Sequence, residues 1–122
     1  MRVVKQESGN DCMIACVAMV TGESIHAMLN LGRDLETSPP PWNDEDAVRV
    51  LSNMGYFALN STVWPCTKHG RADAIVTVAS ANYVRRLHAL VCFEDKIYDP
   101  SLEQIYTDVD TLPWSSVILV WR

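Results

Sequence analysis

Nine consecutive residues, Cys12 to Val20, are apolar (CMIACVAMV). Wound as a helix, such a segment has no polar side to offer water, so it has to be buried with other elements packed around it. The spacing predicts a helix from about Asp11 to Val20, with Asn10 as N-cap and Gly22 as stop. A membrane span needs ~20 apolar residues, and no stretch of the chain approaches that. A secretory signal has an apolar run of similar length near its start. Here Glu7 and Asp11 stand where a positive n-region belongs, and no small-residue cleavage pattern follows Thr21-Gly22. A cytoplasmic protein is therefore expected, with its four cysteines mostly reduced.

The 122 residues suit one domain over 1–122, and 48% apolar with 20% charged residues is enough for one packed core. Ser38-Pro39-Pro40-Pro41-Trp42 interrupts the chain, because consecutive prolines cannot continue a helix. Before it, short helices are predicted over Ser24 to Leu31, capped by Ser24, and after it over Asp44 to Met54, capped by Asn43. Asp44, Glu45 and Asp46 suit the positive end of that helix dipole, and Gly55 ends it. Strands are predicted at Tyr56–Leu59, Ala74–Ala79, Leu87–Phe93, Lys96–Asp99 and Val117–Trp121. The fold class is α+β, with N-terminal helices and a buried central helix packed on an antiparallel β-sheet. The net charge of -5, with scattered Lys and Arg, argues against nucleic acid and anionic membranes as partners. Only Arg85 and Arg86 adjoin, as a solvated rim beside a strand.

Cys12 occupies the first turn of the apolar helix. Unpaired backbone N–H groups at that end favour a negative charge, which raises the fraction of nucleophilic thiolate. Asp11 opposes this unless its side chain turns outward. Cys16, one turn further in, reads as core. Gln6 precedes Cys12 across the polar Ser8-Gly9-Asn10 loop. Folded back, its side-chain amide and the Cys12 backbone N–H would together hold an oxyanion.

His88 begins an apolar strand and Asp99 ends the next. If Glu94-Asp95 is a two-residue turn, Phe93 opposes Lys96 and Leu90 opposes Asp99. His88 then shares a face with Asp99 as its diagonal neighbour, with Cβ atoms ~7–8 Å apart. A carboxylate there would orient the imidazole and stabilise its protonated form. Pro100 biases Asp99 towards an extended conformation.

The block Gln6-Glu7-Ser8-Gly9-Asn10-Asp11-Cys12, followed by Ile14-Ala15-Cys16-Val17-Ala18-Met19, resembles the opening of the bacteriocin-processing peptidases. These are papain-like domains found alone and on peptide-exporting transporters. Asp46-Ala47 leading to Leu51 and Met54-Gly55-Tyr56 resembles their third helix and its exit. Leu87-His88-Ala89-Leu90-Val91 and Tyr98-Asp99-Pro100-Ser101 resemble their His and Asp-Pro strands. The resemblance implies a papain-like fold and a Cys12, His88, Asp99 triad with Gln6 at the oxyanion hole. It also implies a peptide or protein substrate, often cleaved after a Gly-Gly leader. Met13 stands where the family usually has Gly, so a bulkier side chain is expected to reshape the approach to Cys12. No exporter membrane domain is expected in a chain of this length.

The resulting expectation is a cysteine hydrolase that cuts an amide bond through a thioester, with no cofactor and no metal. Papain-like folds also host acyl transferases, and the same fold with an altered site would serve as a binding adaptor or inhibitor. For that use Trp42, Trp64 and Trp114, all beside prolines, would form a contact surface, although core and rim packing is their simpler reading. A zinc site from Cys66 and His69 with Cys12 and Cys16 has suitable spacing. The apolar helix around one pair and the loop-like setting of the other argue against it. His26 reads as a surface residue.

Overall fold

The computed structural model describes residues 1–8, 10–37, 39–61, 73–79, 87–94, 96–101, 104–106 and 114–121. The apolar run forms helix α1, Cys12–Thr21, and every residue from Met13 to Val20 is buried. It stops at Gly22, whose φ of 76° lies in the left-handed region that glycine adopts without a Cβ penalty. Its N-cap position is Asp11, one residue later than the sequence predicts. Asn10 is held outside the helix, where its N–H donates to Ser8 Oγ at 3.3 Å and the Asp11 N–H donates to the Ser8 carbonyl. Asp11 makes no capping bond with its side chain and is buried rather than turned outward.

Helix α2 spans Ile25–Asp34, one turn beyond the predicted end. Ser24 Oγ accepts the Ala27 N–H at 3.1 Å, the expected cap. Helix α3 spans Asp44–Asn53 and starts with a capping box: Asn43 Oδ1 accepts the Asp46 N–H at 2.9 Å, and Asp46 Oδ2 accepts the Asn43 N–H at 3.1 Å. Between α2 and α3, residues 39–41 form a bend. Trp42 turns into the core, packed closely over Gly32.

Among the described residues, six strands form one sheet: β1 Phe57–Ser61, β2 Asp73–Ala79, β3 Leu87–Phe93, β4 Lys96–Asp99, β5 Gln104–Tyr106 and β6 Trp114–Trp121. Their order is β1-β6-β2-β3-β4-β5, and every pairing is antiparallel. Strand β5 is too short and mixed to be legible in the sequence. It exists because the β4 edge offers a ladder, pairing Asp99 with Gln104 through Ile97 with Tyr106. Ile75, Ala89, Val91, Tyr98, Ile118 and Val120 share one core cluster with the helices. The residues of opposite parity, among them Val76, Leu90, Cys92, Ile97 and Val117, form a second buried cluster. Both faces of the central strands are therefore buried, which is why β3 reads as an unbroken apolar run. The observed α+β architecture is the predicted one. Among the described residues, no single helix is long and apolar enough to cross a membrane.

Candidate active site

Packing of α1 against β3 sets its first turn beside the start of that strand, and Cys12 is half-buried there. The hairpin after β3 brings Asp99 to the same place. Its register pairs Phe93 with Lys96 and Val91 with Tyr98, as the two-residue turn predicts. Glu94 takes a φ of 49°, the left-handed conformation that a tight hairpin turn demands. The even parity puts His88 and Asp99 on one face, and His88 Nε2–H donates to Asp99 Oδ1 at 2.9 Å. Both side chains are largely buried, at 18% and 11% exposure, so the pair is sheltered from solvent screening.

The Cys12 thiol lies within electrostatic reach of the His88 ring and of the backbone N–H groups of Ala89 and Met13. With Nε2 engaged by Asp99, Nδ1 is the ring nitrogen left for the thiol. Burial alone would raise the thiol pKa. The His88 hydrogen bond, the two backbone N–H groups and the imidazolium charge outweigh it and bring Cys12 below its ordinary value. Burial likewise disfavours the charged ring of His88, yet its bonds to Asp99 and Cys12 raise it to about 9. Asp99 is held below the usual carboxylate range by His88 and by the Ser101 hydroxyl and N–H, against the cost of its burial. Each partner thus favours the charged form of the next, and the arrangement stabilises a thiolate–imidazolium pair backed by a carboxylate.

The other described thiols lack such a setting. Cys16 is fully buried in the core with its pKa well above the ordinary value, and burial pushes Cys92 up to about 12. Cys66 and His69, the other half of the zinc reading, lie outside the described residues, as do Trp64, Arg85 and Arg86. Among the described residues, no three His, Cys, Asp or Glu side chains cluster in a way that could hold a metal ion. His26 is exposed and pairs with Glu7 at 3.3 Å.

Gln6 joins the site through its backbone, whose N–H donates to the Pro100 carbonyl at 2.9 Å, next to Asp99. Its side-chain Nε2 donates to the Ser8 carbonyl at 2.7 Å, and its buried Oε1 has no hydrogen-bond partner among the described residues. One of its two amide hydrogens is thus occupied within its own loop. Met13 is buried in the core cluster at 4% exposure. Its bulk lies with the core and not in the approach to Cys12, contrary to the expectation from sequence, while its backbone N–H meets the sulfur. Sequence reasoning missed Ser101, whose Oγ and N–H both donate to Asp99 Oδ1, at 2.7 and 2.9 Å. The only signal was Asp-Pro-Ser as a turn whose first residue caps the third.

The helices pack on an antiparallel sheet in an α+β fold, and the start of α1, which carries Cys12, lies against β3, which carries His88. Among solved structures the chain is similar to the peptidase domain of Streptococcus ComA, a bifunctional ABC transporter involved in a quorum-sensing pathway. The two share 14% sequence identity at a TM-score of 0.68, covering 98% of this chain and 96% of that one. No protein-family model and no curated protein sequence matches the chain.

Proposed function

We propose that the protein is a cysteine peptidase-like hydrolase that cuts a peptide bond in a peptide or protein substrate. The observation that carries this reading is the His88–Asp99 bond at 2.9 Å, with the Cys12 thiol coupled to the same ring. The Cys12 thiolate attacks the scissile carbonyl, and the C–N bond breaks as His88 gives its proton to the leaving amine. A thioester remains on Cys12. His88, now neutral, takes a proton from water, which attacks the thioester, and the acid product leaves as the thiolate–imidazolium pair is restored. Asp99 orients the ring and balances its charge throughout.

The Cys12 backbone N–H and the second amide hydrogen of Gln6 are the donors proposed for the tetrahedral oxyanion. The fold of a peptidase domain supports the same reading. A peptide with a Gly-Gly leader is the first substrate to try, because the Cys12 and His88 blocks resemble leader peptidases. The deciding experiment incubates the protein with a peptide aldehyde or chloromethyl ketone ending in Gly-Gly and maps the adduct by mass spectrometry. An adduct at Cys12 that is absent from Cys12→Ala and His88→Ala supports the proposal. No adduct with any peptide electrophile, under conditions where iodoacetamide labels Cys12, leaves a binding module as the better reading.

A further inference from the structure

We propose that Ser101 is a positioning residue that holds the Asp99 carboxylate and limits how tightly Asp99 makes His88 keep its proton. The mechanistic meaning of this rests on the hydrolase reading above. Three donors converge on the single oxygen Asp99 Oδ1: His88 Nε2–H at 2.9 Å, Ser101 Oγ–H at 2.7 Å and Ser101 N–H at 2.9 Å. A carboxylate oxygen has two lone-pair directions, so three donors share them and each bond is weaker for the others' presence. The hydroxyl, at an ordinary O–H···O distance, competes directly with the imidazole for that oxygen.

The sign of the effect follows from how the turn is built. Pro100 has its φ restricted by its ring. Its carbonyl is tied down by the Gln6 N–H at 2.9 Å, and the Ser101 backbone N–H would still cap Asp99 without the hydroxyl. Loss of the hydroxyl therefore leaves the carboxylate in place and frees electron density on Oδ1 for His88. The imidazolium is then held more firmly. In peptide cleavage the same proton has to pass to the leaving amine, so an over-stabilised imidazolium is a poorer general acid. Ser101 is thus set to keep the pair charged while leaving the proton transferable. Among the described residues, the other titratable groups facing the pair are Cys12 and Cys16 of α1. Val78, opposite His88 on β2, has none.

The test is an NMR titration of the His88 ring in a Cys12→Ala background, which removes the coupled thiol and needs no activity. Ser101→Val and Ser101→Thr are compared, since both are β-branched and only Thr keeps the hydroxyl. The expected result is a higher His88 midpoint in Ser101→Val than in the Cys12→Ala parent, with Ser101→Thr close to that parent. A midpoint that falls or stays the same in Ser101→Val, or a Thr variant that shifts with Val, overturns the proposal. Failure of the hydrolase reading would show separately, as absence of a peptide adduct at Cys12 in the otherwise native chain.

Discussion

His88 Nε2 and Asp99 Oδ1 stand 2.9 Å apart, on neighbouring strands and eleven residues apart in the chain. Their meeting depends on the even parity of one hairpin, and the chemistry proposed for Cys12 depends on their meeting.

The pair should appear in the pH dependence of stability. Folding raises His88 from 6.5 to about 9, so its contribution is complete below 6.5 and disappears as pH rises through about 9. Folding lowers Asp99 from 3.8, so its contribution is complete above 3.8 and disappears as pH falls through its lower folded value. The Tm difference between the parent and Asp99→Asn should be greatest between 3.8 and 6.5 and shrink on both sides. Thermal melts across pH measure it; a difference that is flat with pH would rule out an ionised pair.

Thiol reactivity should be unequal. At mildly acidic pH iodoacetamide is expected to modify Cys12 well before Cys16 or Cys92, which are buried and hold their protons. His88→Ala should move the Cys12 alkylation profile to higher pH, because the hydrogen bond and the positive charge that lower it are gone. Peptide mapping after timed quenching gives both results.

Removing the Gln6 amide should slow turnover with little change in KM. A single oxyanion donor contributes about 10²–10³ in kcat. Gln6→Ala is expected to fall in that range and Gln6→Glu to do no better, since a carboxylate cannot donate. Steady-state kinetics on a cleavable peptide decide this, and unaltered kcat in Gln6→Ala would remove Gln6 from the mechanism.

Gly32 allows α2 to pass under Trp42. A Cβ there would sit 2.5 Å from Trp42 Cζ2 and 2.8 Å from Thr37 Oγ1. Gly32→Ala should therefore cost about 1–3 kcal/mol by overpacking, despite the better helix propensity of alanine. Urea denaturation measures it, and a stabilised variant would show that the Trp42 ring moves aside freely.

Much of this architecture is legible in the chain because it is local. The apolar run from Cys12 to Val20 demands burial wherever it lies, Ser24 and Asn43 cap the helices that follow them, and Gly22 takes the left-handed φ that ends α1. The alternation of β3 and β4 carries the shared face of His88 and Asp99. Asp11 and Met13 are the places where local reasoning fails. The Ser8 turn holds Asn10 outside the helix and leaves Asp11 at the N-cap position, and the core takes up the Met13 side chain.

The sequence by itself determined the three helices, every strand but β5, the Ser24 and Asn43 caps and the parity that aligns an imidazole with a carboxylate, since these follow from backbone periodicity and short-range hydrogen bonding. Tertiary structure alone decided that the thiol of α1 arrives at that imidazole. It also decided that the Gln6 backbone locks onto Pro100. Those contacts join segments whose separation along the chain carries no distance information, and they form only when burial of α1 against the sheet brings the segments together.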